Sequence, residues 1–148
     1  MWEMVRKAQP QDLAALVELA CRLWPDHTAT QMQAELTPML LHGEAAFFLA
    51  FDGSEAVGFA QCQLRHDYVE GTETSPVGYL EGIYVAEQRR HQGVAKGLLI
   101  ACEAWAKEQG CTEFASDCEL HNLQSLRFHM GVGFTEAGRI ICFTKRLN

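Results

Sequence analysis

The chain has 148 residues, 48% of them hydrophobic, 21% charged and 9% aromatic, with 12 Gly and 4 Pro. That is one domain's worth of sequence, apolar enough to fold without disulfides or metals, which excludes a disordered chain, and no self-similar period marks a repeat array. The formal charge is −7, from 12 Lys and Arg against 19 Asp and Glu, so a general nucleic-acid surface, which needs basic charge against phosphate, is also excluded.

Trp2 to Lys7 reads as a short first strand. Pro10, Gln11 and Asp12 open a helix with Leu13, Leu16, Val17, Ala20, Leu23 and Trp24 on one face, and Pro25 stops it. A weaker helical segment starts near Thr30, is disturbed by Pro38 and ends near Gly43. Ala45 to Phe51 is an apolar strand, Asp52-Gly53 a turn and Glu55 to Arg65 a second strand, which together make a hairpin. His66 to Val77 is a polar loop, and Gly78 to Val85 a strand. Gly93 to Gly110 is a helix buried along Val94, Leu98, Ala101, Cys102 and Trp105. Thr112 to Asp117 is a strand, and Asn122 caps a short helix that ends by Gly131 or Gly133. Phe134 to Arg146 reads as one or two terminal strands around a turn at Glu136, Ala137 and Gly138. The fold class is α/β, a mixed sheet in one domain over residues 1–148, with one right-handed βαβ crossover from Gly78 to Asp117.

The longest apolar run, Ala45 to Phe51, is far below the about 20 residues of a bilayer span, so no membrane partner is expected. Glu3, Arg6, Lys7 and Asp12 stand where an export signal would be unbroken and apolar, so the expected location is the cytoplasm. Cys21, Cys62, Cys102, Cys111, Cys118 and Cys142 contain no Cys-x-x-Cys and read as reduced thiols. Asp117, Cys118, Glu119 and His121 lack the paired spacing of a zinc site, so no metal is expected.

Chemistry belongs at the carboxyl ends of the parallel strands. There, Gly78 to Val85 runs into Arg89, Arg90, His91, Gln92, Gly93, Val94, Ala95 and Lys96. A strand, a basic turn and a glycine at a helix start make an anion site, because the first N–H groups of the helix are free. Glu81 is polar on an alternation face shared with Tyr79, Ile83 and Val85. With Asp117 it is one of the two carboxylates best placed to receive a proton. From His66 to Gln88 five acids (Asp67, Glu70, Glu73, Glu81, Glu87) stand with no Lys or Arg, either a solvated loop or a funnel for a cation.

Arg90, Gly93 and Ala95 form the Arg-x-x-Gly-x-Ala loop, which resembles that of the GCN5-related N-acetyltransferase family. Asn122, Ser125, His129, Gly133 and Phe134 are similar to a second segment of that family, with His129 where Tyr is usual. Leu23-Trp24-Pro25, Arg65 to Val69, Ser75-Pro76-Val77, Leu80 to Ile83, Gly93 to Lys96 and Ala115-Ser116-Asp117 resemble the aminoglycoside 6′-N-acetyltransferases over nearly the whole chain. The resemblance implies the GNAT fold: a largely antiparallel mixed sheet, helices on both faces, and a central parallel pair that binds acyl-CoA. It implies acetyl transfer from acetyl-CoA to the 6′-amine of a polycationic antibiotic, by a homodimer. Ile83, Tyr84, Val85, Arg90 to Lys96 and Asn122 would meet the cosubstrate, with a backbone N–H near Ile83 to Val85 holding the oxyanion. Asp117 would be the base, with Glu81 binding an amine or passing a proton, and His129 is the candidate acid. Trp24, Asp26, Tyr68, Glu70, Glu73 and Glu136, with Glu81 and Asp117, are the candidate substrate contacts. A polyamine acetyltransferase and a CoA-binding regulatory module without turnover are the competing readings. A protein-lysine acetyltransferase lacks any identifiable peptide groove.

Overall fold

The most apolar stretch of the chain lies inside its sheet. In the computed structural model, which describes residues 4–148, the strands run in the order β1 (Met4–Lys7), β2 (Ala45–Asp52), β3 (Glu55–Arg65), β4 (Val77–Val85) and β5 (Phe114–Ser116). Trp2 and Glu3 of the expected first strand lie outside the described residues. Neighbouring strands are antiparallel except β4 and β5, which are parallel. The β2–β3 hairpin turns as expected at Asp52-Gly53, where Gly53 takes a φ of 63° that suits glycine.

β2 is buried on both faces, which is why it reads as a continuous apolar run. Phe47 and Leu49 pack with Phe59 against α1 (Leu13–Leu23) and α2 (Ala29–Leu41). Phe48 and Ala50 pack with Ala60 and Cys62 against α3 (Val94–Glu108). Fully burying Phe47 or Phe59 contributes about 2–3 kcal/mol each.

The helices follow their sequence signals closely. A short 3₁₀ turn at Pro10–Asp12 leads into α1, which buries Leu16, Val17, Leu19 and Ala20. Thr28 caps α2: its hydroxyl accepts from the Gln31 N–H, and the Gln31 side chain accepts from the Thr28 N–H. α2 runs on through Pro38 to Leu41, so the expected disturbance does not break the helix; the ring costs it the one bond that an N–H at 38 would have made to the Ala34 carbonyl. Past α3, Gly110 turns left-handed (φ 92°), and the Cys111 N–H returns to the Ala106 carbonyl at 3.0 Å.

Three departures from the sequence reading follow. First, Gln61 pairs with Gly82 but Cys62 pairs with Leu80, so Glu81 is the extra residue of a bulge. The expected common face of Tyr79, Glu81, Ile83 and Val85 is therefore broken. Ile83 and Val85 join Leu80 against α3, while Tyr79 and Glu81 both meet Arg65. Second, β4 pairs with β5 only from Gly78 to Leu80, and beyond that the two strands part. Third, residues 134–146 form no strand. The apolar run Ile140 to Phe143 is rich in strand-forming residues, but a strand needs a ladder, and β5 offers an edge of three residues. Ala137 lies against Gly71 and Gly138 against Glu70, and beyond them Ile140, Ile141, Phe143 and Leu147 are 77–88% exposed.

At Gly78 the parallel strands and α3 come closest: an added Cβ would stand 2.6 Å from Phe114 Cδ1 and 2.7 Å from Ala106 Cβ. Gly78→Ala is expected to lower stability by about 1–3 kcal/mol through overpacking. Urea unfolding reads this directly, and an unchanged midpoint would mean that the layers can separate there without cost.

Candidate active site

The parted strands open onto a cavity of about 730 Å³. Its wall comes from the second half of β4, the turn into α3, the residues after β5 and the helix α4 (Leu123–Gly131), with Trp24 beside them. Asp117, Glu81 and His129, the three expected catalytic side chains, all line it. So do Ile83, Tyr84, Val85, Arg90, His91, Gly93, Val94, Ala95, Lys96 and Asn122. Gln92 is not part of the wall; its side chain donates to the Gln88 carbonyl at 3.3 Å. Of the expected substrate contacts, Trp24 joins Glu81 and Asp117, whereas Asp26, Tyr68, Glu70, Glu73 and Glu136 lie outside the wall.

One part of the cavity is built for an anion. His91 (φ 64°) and Gly93 (φ 85°) are both left-handed, so the turn folds tightly into α3. The first backbone bond of that helix runs from the Gly97 N–H to the Gly93 carbonyl at 3.0 Å, so the N–H groups of Val94, Ala95 and Lys96 have no intrahelical partner. Arg90 braces the turn: its Nε–H donates to the Val85 carbonyl at 2.9 Å, and its guanidinium lies 5.5 Å from the Tyr84 ring centre. Arg89 is held at 2.6 Å by Asp52. Main-chain donors, Lys96 and Arg127 on α4 carry the remaining positive character. Asn122 Oδ1 accepts from the Ser125 N–H at 3.0 Å, which starts α4 and leaves the amide nitrogen for a ligand.

The opposite character comes from Glu81 and Asp117. Arg65 grips Glu81 with two parallel bonds, from Nε at 2.9 Å and Nη2 at 2.8 Å. The same guanidinium lies 3.5 Å from the centre of the Tyr79 ring. The Tyr79 hydroxyl donates to Asp117 Oδ2. Burial, reinforced by Asp117, pushes the Tyr79 phenol well above its ordinary value, so it stays protonated and remains the donor. Glu81 thus has a cation for a partner, and Asp117 a neutral donor.

His129 has both ring nitrogens engaged. Nδ1–H donates to the Ser125 carbonyl at 2.7 Å, and Nε2 stands 2.7 Å from the Ser116 hydroxyl. The ring packs on Phe134 with centres 5.0 Å apart. It is a fixed imidazole, with no bare nitrogen turned to the cavity.

The profile of the acetyltransferase (GNAT) family matches residues 13–134. The chain belongs to the GNAT family. It is 48% identical over 141 residues to the aminoglycoside N(6′)-acetyltransferase type 1 of Stenotrophomonas maltophilia, across 94% of this chain and 90% of that protein. Among solved structures it is similar to the aminoglycoside N-acetyltransferase AAC(6′)-Iy in complex with CoA: TM-score 0.95, 37% identity, 98% of this chain and 95% of that one. AAC(6′)-Iy bound to the bisubstrate analogue CoA-S-monomethyl-acetylneamine matches with TM-score 0.95 and 37% identity over 99% and 100% of the two chains.

Within this GNAT site four residues escaped the sequence reading of function. Arg65 and Tyr79 hold the two carboxylates from outside the cavity wall, and Ser116 lines the cavity beside His129, its hydroxyl 2.7 Å from Nε2. Tyr79 lies two residues from Glu81 and was counted only as part of a strand face, although that spacing was the available signal. Arg65 and Ser116 lie inside segments that resemble the aminoglycoside 6′-N-acetyltransferases, but nothing local gives either a role, since their partners lie 16 and 13 residues away. Gly82 is the fourth: a Cβ there would meet Trp24 Cζ2 at 2.6 Å, so glycine lets that ring lie on the strand. Trp24 also packs edge-on against Phe59 with centres 6.0 Å apart, which joins the core to the cavity wall.

Proposed function

We propose that the chain is a single-domain aminoglycoside 6′-N-acetyltransferase that passes the acetyl group of acetyl-CoA directly to the 6′-amine. The observation that carries this reading is a cavity with free helix N–H groups on one side and a carboxylate held by a neutral donor on the other. The N–H groups of Val94, Ala95 and Lys96 receive the CoA diphosphate, with Arg90 fixing the turn, and Asn122 meets the pantetheine arm. The edge that β4 frees beyond Leu80 supplies a backbone N–H, from Ile83 to Val85, for the oxyanion.

A primary amine attacks only when neutral, so a proton must leave it. Asp117 takes that proton. Glu81, whose charge is matched by Arg65, orients the substrate amine rather than stripping it. His129, when protonated, supplies the departing thiolate through the Ser116 hydroxyl. Direct transfer in a ternary complex needs no covalent intermediate, and the cysteines take no part. Trp24 meets the sugar rings from the wall, and Asp26, Glu70 and Glu73, which stand outside that wall, act on the polycation at longer range as an acidic rim, where the Tyr68 hydroxyl donates to Glu70 at 2.9 Å. Glu136 contributes little charge to this rim, because Arg139 binds it at 3.0 Å.

The active form is a homodimer in the cytoplasm. Ile140, Ile141, Phe143 and Leu147 are too exposed to belong to a finished surface, and a second copy with the same tail is the partner of matching chemistry. No helix among the described residues is long and apolar enough to cross a membrane.

Release of CoA thiol with tobramycin or kanamycin as acceptor tests the activity, and binding of CoA without release would favour a regulatory module. Asp117→Asn is expected to lower kcat by about 10²–10³ with the KM for acetyl-CoA kept, and normal turnover would remove Asp117 as base. The double change Glu70→Gln with Glu73→Gln should raise the aminoglycoside KM several-fold and flatten its dependence on salt, while an unaltered salt profile would discard the acidic rim. Removing residues 139–148 should convert a sedimenting dimer to a monomer, and a dimer that survives the truncation would overturn the tail interface.

A further inference from the structure

Four side chains join the two carboxylates of the cavity into one chain: Glu81, Arg65, Tyr79 and Asp117. Arg65 holds Glu81 at 2.8 and 2.9 Å and lies flat over the Tyr79 ring at 3.5 Å, and Tyr79 donates its hydroxyl to Asp117 Oδ2. Neither Arg65 nor Tyr79 is part of the cavity wall. Tyr79 is 6% exposed, fixed between Val69 and Val77 on one side and the guanidinium on the other. A buried ring so held fixes the direction of its O–H, and with it the rotation of the Asp117 carboxylate. Asp117 follows the last residue of β5 and has no ladder of its own to hold it.

We propose that Tyr79 is the positioning residue that makes Asp117 the base, occupying Oδ2 so that Oδ1 is left for the substrate amine. Arg65 completes the division of labour: it neutralises Glu81 and clamps the ring that orients Asp117. The inference rests on Asp117 being the base.

Tyr79→Phe removes the donor and keeps the ring under Arg65. The kcat and the KM for acetyl-CoA are compared in wild type, Tyr79→Phe and Asp117→Asn, with tobramycin as acceptor. In Tyr79→Phe, kcat should fall about tenfold with the KM for acetyl-CoA unchanged, because the base is turned away while the cosubstrate site is untouched. A kcat equal to that of wild type overturns the proposal, as does a loss carried by the KM for acetyl-CoA instead of kcat. Wild-type turnover in Asp117→Asn is a different result: it defeats the base assignment itself.

Discussion

Two parallel strands that pair for three residues and then separate are the condition for everything else in this molecule. Backbone N–H and C=O groups must find partners, and in a continuous sheet β5 would take those of β4 along its length. Here the ladder stops at Leu80 opposite Ser116, and the next residues of both strands, Glu81 and Asp117, become walls of a cleft. The same separation leaves main-chain donors of β4 open to a ligand, and α3 begins just past the end of that strand with its own unpartnered N–H groups. The cleft therefore needs few special side chains to bind an acyl donor. It needs strands that diverge and a helix that starts in the right place.

Much of this was legible in the chain, and the reasons differ by element. β2 announced itself through seven consecutive apolar residues, and α3 through a buried stripe ended by Gly110. The turn from Arg90 to Lys96 was readable because its function depends on backbone geometry, which glycine marks. The bulge at Glu81 was not readable, because a slip in register depends on the partner strand. The roles of Arg65, Tyr79 and Ser116 are hidden for a related reason: the sheet brings Arg65 to Glu81 and Tyr79 to Asp117, and the packing of α4 brings His129 to Ser116. The tail misled in the other direction. Its apolar run from Ile140 to Phe143 suits a strand, but strand propensity says nothing about what lies opposite.

Charge in the cleft is arranged by pairing rather than by count. Arg89 looks like an anion ligand in the sequence, yet Asp52 holds it, and Glu81, which the sequence leaves open between a proton acceptor and a carboxylate paired with an arginine, is held by Arg65. Such pairs, once partly buried, fix geometry more than they add stability, since desolvation offsets most of their attraction. What remains for a substrate is the less obvious set: helix N–H groups, Lys96, Arg127 and Asp117.

The bulge itself follows from the cost of burying a charge. Gln61 faces Gly82, so an unbroken register would set Glu81 opposite Cys62 and Leu80 opposite Gln63. Cys62 is fully buried against α3, among Leu98, Leu99 and Cys102. A carboxylate there would meet only apolar neighbours, and its desolvation would cost several kcal/mol. Slipping by one residue returns Leu80 to that core and turns Glu81 toward Arg65, at the expense of a break in one ladder. Ile83 and Val85, opposite Ala60 and Gly58, stay on the α3 face, so both halves of β4 feed that core, and the bulge lets β4 bend away from β5. One acidic residue in an apolar strand thus forces the irregularity that opens the cleft, and the same residue lines it.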